Sequence, residues 1–174
     1  MSRPRAVLAI CMGAAAAFCA ALFFCASVQA QLPAVAADNG AAQPWAVMVQ
    51  FGWAGSWAQD CGSAARPGNW HVDYLGLPSG QATRRMMRGD ETRSSRIERV
   101  EALGRNRLLV RERYGFGWGE FAGMEKNYVL QFTDDHRRYR SVHSEIGDGR
   151  EFIEQGRMVA TGQESPWVEK CPAR

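Results

Sequence analysis

The chain has 174 residues, 21 basic and 18 acidic side chains for a net charge of +3, and five cysteines. That balance offers no strongly basic surface to nucleic acid, so nucleic-acid binding is not implied. The length leaves room for one ordinary domain with a sizeable core once any targeting segment is set aside.

The first thirty residues read as a signal peptide. Arg3 and Arg5 give a positive start, an apolar run covers Ala6 to Val28, and Val28-Gln29-Ala30 is a small-residue cleavage site. The apolar run is also long enough for an uncleaved anchor, which stays open as the alternative. With cleavage, no membrane span remains, and the protein is expected in the periplasm or outside the cell. Cys11, Cys19 and Cys25 follow Ile10, Phe18 and Phe24, which are not the small residues expected before a lipid-modified cysteine.

Residues 31–44 are Ala-rich, contain Pro33 and Gly40, and read as a flexible lead-in. Residues 45–174 are then expected to form a single β domain. Three cysteines leave with the leader, and Cys61 and Cys171 remain with one possible pairing. In an oxidising compartment such a pair forms a disulfide, here tying the first strand to the tail.

Strands follow from period-2 patterns in chain order. Trp70, Val72 and Tyr74 share one face of a half-buried strand, and His71 and Asp73 share the other. Residues 81–88, 95–103 and 106–113 form runs separated by Gly89-Asp90 and Gly104-Arg105, an antiparallel meander. Tyr128, Leu130 and Phe132 alternate in the next strand, Asp134-Asp135 marks a turn, and residues 138–146 return. Phe152-Ile153 and Met158-Val159 supply the last short strands. Residues 94–103 come nearest to a helical stripe, but their β-branched content leaves them ambiguous, and helix content is expected to be low. The fold class is all-β with 7 to 9 strands, a small meander barrel or a β-sandwich.

The stretch from Arg84 to Arg113 holds ten arginines against five carboxylates. Its main reading is the outward residues of solvated strands, with an anionic surface or ligand as the alternative.

Gly55-Ser56-Trp57, with Cys61 four residues further on, resembles the G-x-W opening of lipocalin-like (calycin) barrels. The ending Ser165-Pro166-Trp167 before Cys171 is similar to small exported bacterial proteins with a T-P-W-x-x-x-C tail, Ser165 standing in place of the threonine. The resemblance covers the two ends of the chain. It implies a calycin-like barrel in which Gly55, Trp57 and Trp167 close the floor, and it implies no activity.

Catalytic patterns are sparse. There is no H-E-x-x-H, no C-x-x-C and no G-x-S-x-G, and His71, His136 and His143 do not cluster. No metal or cofactor is implied. His71 with Asp73 and His143 with Glu145 share strand faces, the basis of an alternative reading as a small periplasmic enzyme.

The most unusual segment is Tyr114 to Met124, where Tyr114, Phe116, Trp118 and Phe121 alternate with glycines. These rings, together with Trp53, are the candidate binding residues. They form either a loop tip over a barrel mouth or a pair of strands with glycine bulges and rings turned inward. The favoured function class is a noncatalytic binding module for an envelope partner protein or a small apolar ligand. The partner comes first because so many bulky aromatics would plug a barrel interior.

Overall fold

A computed structural model describes residues 43–173. The expected leader at 1–30 and nearly all of the lead-in at 31–44 lie outside the described residues. The chain enters through a seven-residue helix, α1 (Pro44–Gln50), with proline in its first turn. Proline's fixed φ and missing N–H suit that position. Ten strands follow: β1 (Gly55–Ala58), β2 (His71–Gly76), β3 (Ala82–Arg88), β4 (Glu91–Ala102) and β5 (Arg107–Tyr114), then β6 (Glu125–Phe132), β7 (Arg138–Ile146), β8 (Glu151–Glu154), β9 (Arg157–Met158) and β10 (Val168–Lys170). A 3-10 turn at Gly119–Phe121 lies between β5 and β6.

All pairings between these strands are antiparallel, and β1 to β9 run as a meander in chain order. Closure comes from β10, which pairs with β1 through Trp57 and Lys170 and with β7 through Val168 and Tyr139. Strands β1 to β7 and β10 therefore form a closed eight-stranded barrel, and the sandwich alternative falls away. The edge of β7 is divided: its first half meets β10, and its second half meets β8, where Ser144 faces Ile153. The β8–β9 hairpin thus peels away from the wall. Irregular register at Ile97/Arg99 and at Val129/Leu130 bends the long strands, as bulges do in small barrels.

Inward side chains alternate as the patterns predict. Ala82 and Met86 on β3, Leu108 and Val110 on β5, and Leu130 and Phe132 on β6 belong to one buried cluster. The ambiguous residues 94–103 lie in β4, where Ile97 and Val100 face the core. One end of the barrel is closed by α1 and the residues after it. Met48, Trp53 and Trp57 are fully buried there, and the Trp57 indole N–H donates to the Trp53 carbonyl at 2.8 Å. Phe132 and Tyr139 pack edgewise on Trp57 at ring distances of 6.2 and 4.9 Å. His136 latches the β6–β7 turn to this floor, its ring stacked on Phe51 and its Nδ1 2.8 Å from the Phe51 carbonyl.

The Cys61–Cys171 disulfide is present, with the Cα atoms 5.4 Å apart and a sequence separation of 110. It ties the β1–β2 loop to the tail beside β10, where the Cys171 amide donates to the Ser56 carbonyl. His71 and Asp73, expected on a solvated face, are buried, His71 beneath the same loop and Asp73 between side chains of β1 and β3. His71 Nε2 lies 2.9 Å from the Ser63 carbonyl, and Asp73 accepts from Ser56 and Arg85.

Candidate functional site

The open end of the barrel leads into a cavity of about 640 Å³, well within the size range of small-molecule sites. The aromatic side chains do not plug the barrel. Trp53, Trp57 and Phe132 are gathered at the floor, whereas Trp118 and Phe121 stand at the mouth, and the space between them remains. The mouthward walls are apolar, with Met86 from β3, Phe152 and Ile153 from β8, and Met158 from β9. The hairpin that leaves the barrel wall therefore extends the cavity.

Part of the cavity wall is a polar shelf. Arg84 on β3 and Glu112 on β5 point inward, with only 9% and 0% of their side chains accessible, and Arg84 Nη2 lies 2.8 Å from Glu112 Oε1. Those two atoms are partnered as an ion pair, whereas the buried Arg84 Nε has no hydrogen-bond partner. Tyr128 donates its hydroxyl to the other Glu112 oxygen at 3.2 Å. Across the cavity the Tyr74 and Tyr139 hydroxyls meet at 2.9 Å. Lys126, one inward position from Tyr128 on β6, places Nζ 4.8 Å from the Tyr128 ring centre and 5.9 Å from that of Tyr114.

Burial dominates the electrostatics. It pushes Tyr74 and Tyr128 well above the usual phenol range, moves Tyr114 upward, and takes Tyr139 to about 12. Burial acts to lower Arg84, but the Glu112 carboxylate and the surrounding tyrosines outweigh it, and the guanidinium is held charged. Lys126 is lowered to about 8 by burial, against the pull of Glu112 and with the push of Arg84. The phenols stay neutral hydrogen-bonding groups at neutral pH, and the shelf carries two cations against one carboxylate.

The glycine-aromatic segment forms the rim. Tyr114 ends β5, Trp118 stacks on it at 4.1 Å between ring centres, and Arg84 and Arg93 lie over the Trp118 ring at 5.3 and 5.2 Å. Phe116 points away and is 76% exposed, while Phe121 packs edgewise on Phe152 at 6.2 Å. Gly117 lets the loop dock on β4: its φ is +80°, and a Cβ there would lie 2.5 Å from the Thr92 carbonyl oxygen. The segment is thus a loop and not a pair of bulged strands, with the Tyr114, Trp118 and Phe121 rings lining the cavity and Phe116 turned outward.

Of the other candidate residues, Trp53 lies at the floor, 4.3 Å from the Tyr74 ring, and joins no patch with the rim. Gly55 and Trp57 sit in β1 at the closed end. Trp167 is instead 36% exposed, with Arg138 and Arg140 over its ring, and contributes nothing to the buried floor cluster. His143 Nε2 lies 3.7 Å from Glu145, and with Glu151 they form a group with mutual ligand-atom distances under 4.8 Å. All three are partly or fully exposed, none lines the cavity, and His71 is sealed beneath the β1–β2 loop.

No protein-family model matches the chain, and neither a curated protein nor a solved structure matches it. The functional argument therefore rests on the site.

Arg84, Glu112 and Lys126 were not among the expected site residues. Arg84 was grouped with the outward arginines, yet it alternates in phase with Ala82 and Met86, and Glu112 alternates in phase with Leu108, Val110 and Tyr114. A charge on the apolar phase of a strand is the signal that marks both. Most of the other arginines do face outward, in pairs such as Arg85 with Asp73 and Arg113 with Glu98.

Proposed function

We propose that the protein is a noncatalytic carrier or sensor for a small amphipathic molecule held in the barrel. The observation that carries this reading is the cavity itself, a largely apolar space with a buried guanidinium on its wall. A barrel filled for stability alone would not leave Arg84 lining open space with its Nε unpaired, because a buried polar group without its hydrogen bond costs roughly 1–3 kcal/mol. A ligand that buries its chain against the apolar walls and accepts from Arg84 relieves that cost. The closed barrel and its Trp57 floor support the calycin-like relationship drawn from G-x-W, and the disulfide supports an exported, oxidising location.

Titration with amphiphiles of graded chain length, followed by tryptophan fluorescence, tests this. Trp118 and Trp70 line the cavity, so binding should change emission in the parent protein, and most of that change should vanish in the double variant Trp118→Phe/Trp70→Phe. Failure of every amphiphile to bind by an independent method such as calorimetry would sink the proposal. A partner protein docking on the rim is the second reading, favoured by the exposure of Phe116. It predicts that Phe116→Ser releases a companion co-purified with the parent protein.

A further inference from the structure

We infer that the ligand is a monoanionic amphiphile whose carboxylate is held in the cavity by Arg84 and Lys126. The inference rests on the carrier reading and specifies what that carrier recognises.

Four observations converge. The cavity-lining groups that carry formal charge at neutral pH are Arg84, Arg88 and Lys126, with Glu112 the carboxylate paired to Arg84. The guanidinium meets Glu112 through Nη2, 2.8 Å from Oε1, and its buried Nε N–H has no acceptor. A guanidinium with such a donor left over can take a second carboxylate through a charge-assisted bond. Lys126 completes the cradle from the adjoining side, because its ammonium stands over Tyr128, the ring whose hydroxyl binds Glu112.

The rest of the lining offers apolar surface to a chain, with Val72, Met86, Phe121, Leu130, Phe152 and Met158 among its residues. An anionic head therefore pairs with the cations, and an apolar tail lies against these walls. Arg88, over Trp70 at the rim, adds attraction at the entrance. Glu112 sets the charge limit: one added anion balances the two inner cations against one carboxylate, and a dianion would face Glu112 uncompensated.

Lys126 also gives a proton-linked signature. The ionisable groups around it are Glu112 and Tyr114 on β5, Tyr128 on β6 and Arg84 on β3. With its ammonium lowered to about 8 in the free protein, an incoming carboxylate favours the charged form. Binding near pH 8.5 should take up protons, and binding of an uncharged analogue should not.

The test is isothermal titration of the oxidised protein with dodecanoate, dodecanol and dodecyltrimethylammonium. Charge-assisted hydrogen bonds predict dodecanoate binding roughly ten- to a hundredfold tighter than dodecanol, with the cation weakest. Lys126→Met should cut dodecanoate affinity about tenfold and abolish proton uptake while leaving dodecanol unchanged, and Lys126→Arg should restore the preference. The double variant Arg84→Met/Glu112→Leu, which removes the pair without stranding a charge, should lose the remaining preference. Equal binding of dodecanoate and dodecanol to the parent protein would overturn the headgroup assignment and leave the carrier reading standing. Absence of binding by all three would overturn both.

Discussion

Glu112→Leu is expected to destabilise the barrel strongly, and the same change made together with Arg84→Met is not. Glu112 is fully buried against Arg84 and accepts from the Tyr128 hydroxyl. Removing the carboxylate alone strands the guanidinium in a low-dielectric interior, a loss of about 3–5 kcal/mol. Tyr128 loses its acceptor as well, though it can turn toward cavity water, so that contribution lies at the low end of the 1–3 kcal/mol range. Arg84 stays charged whatever the pH, because the guanidinium cannot shed its proton in the accessible range. The double variant replaces both charges with apolar side chains of similar length, a change that is about neutral or stabilising by up to roughly 4 kcal/mol. The two substitutions must therefore couple by several kcal/mol. Urea unfolding of the parent, the two single variants and the double variant at pH 7, with the disulfide intact, measures the cycle. A loss below about 1 kcal/mol in Glu112→Leu, or additive single effects, would show that the pair is solvated and would refute the picture of a buried shelf.

The remaining predictions concern titration, closure and the rim. The ammonium of Lys126 is lowered to about 8 from an ordinary 10.5, so the unfolded chain binds more protons between those values, and this group's contribution to stability rises with pH across that window. Lys126→Met should thus stabilise the protein by about 1–3 kcal/mol at pH 7, with the gain shrinking by pH 9.5; unfolding curves showing a pH-independent difference would contradict this. Reducing Cys61–Cys171, or replacing both by serine, should cost about 4–5 kcal/mol for a bridge that closes so long a loop. A change under 1 kcal/mol in denaturant would mean that β10 is held by its strand pairings alone. Gly117→Ala forces a Cβ onto the Thr92 carbonyl, so the rim loop should lift from β4 and amide exchange at Ser94, which donates to Phe116, should accelerate. Unchanged exchange there would show that the loop is not docked as described.

Much of the barrel was legible in the sequence because strands buried on one face leave a period-2 trace. The β7 limits, 138 and 146, follow from Tyr139 and Ile146 set between two turns. The helix α1 left no such trace: seven residues make fewer than two full turns, and Trp45, Val47 and Met48 look like any apolar cluster. Closure through β10 was legible only indirectly, through the cysteine pair, because three residues carry no period. The solvated face expected for His71 and Asp73 failed for tertiary reasons, since His71 lies under the β1–β2 loop held by Asn69 and Asp60, and Asp73 is engaged by Ser56 and Arg85 of the flanking strands. At the site, the glycine-aromatic segment stood out by composition, but composition could not choose between a rim loop and inward-packed strands or say which rings turn inward. That is decided by the close approach of Gly117 to β4, which points Trp118 at Tyr114 and leaves Phe116 in solvent. Arg84 and Glu112 were hidden by their number of arginine and glutamate neighbours, although their phase along β3 and β5 set them apart.

Native mass spectrometry of the protein isolated from its own source without denaturation is the most direct test of the account. It predicts a noncovalent adduct of small-molecule mass that ionises as an anion when released and is lost from the Arg84→Met/Glu112→Leu variant. A chain that always carries only its own oxidised mass, and that stays bare after incubation with amphiphiles of every charge, would contradict it.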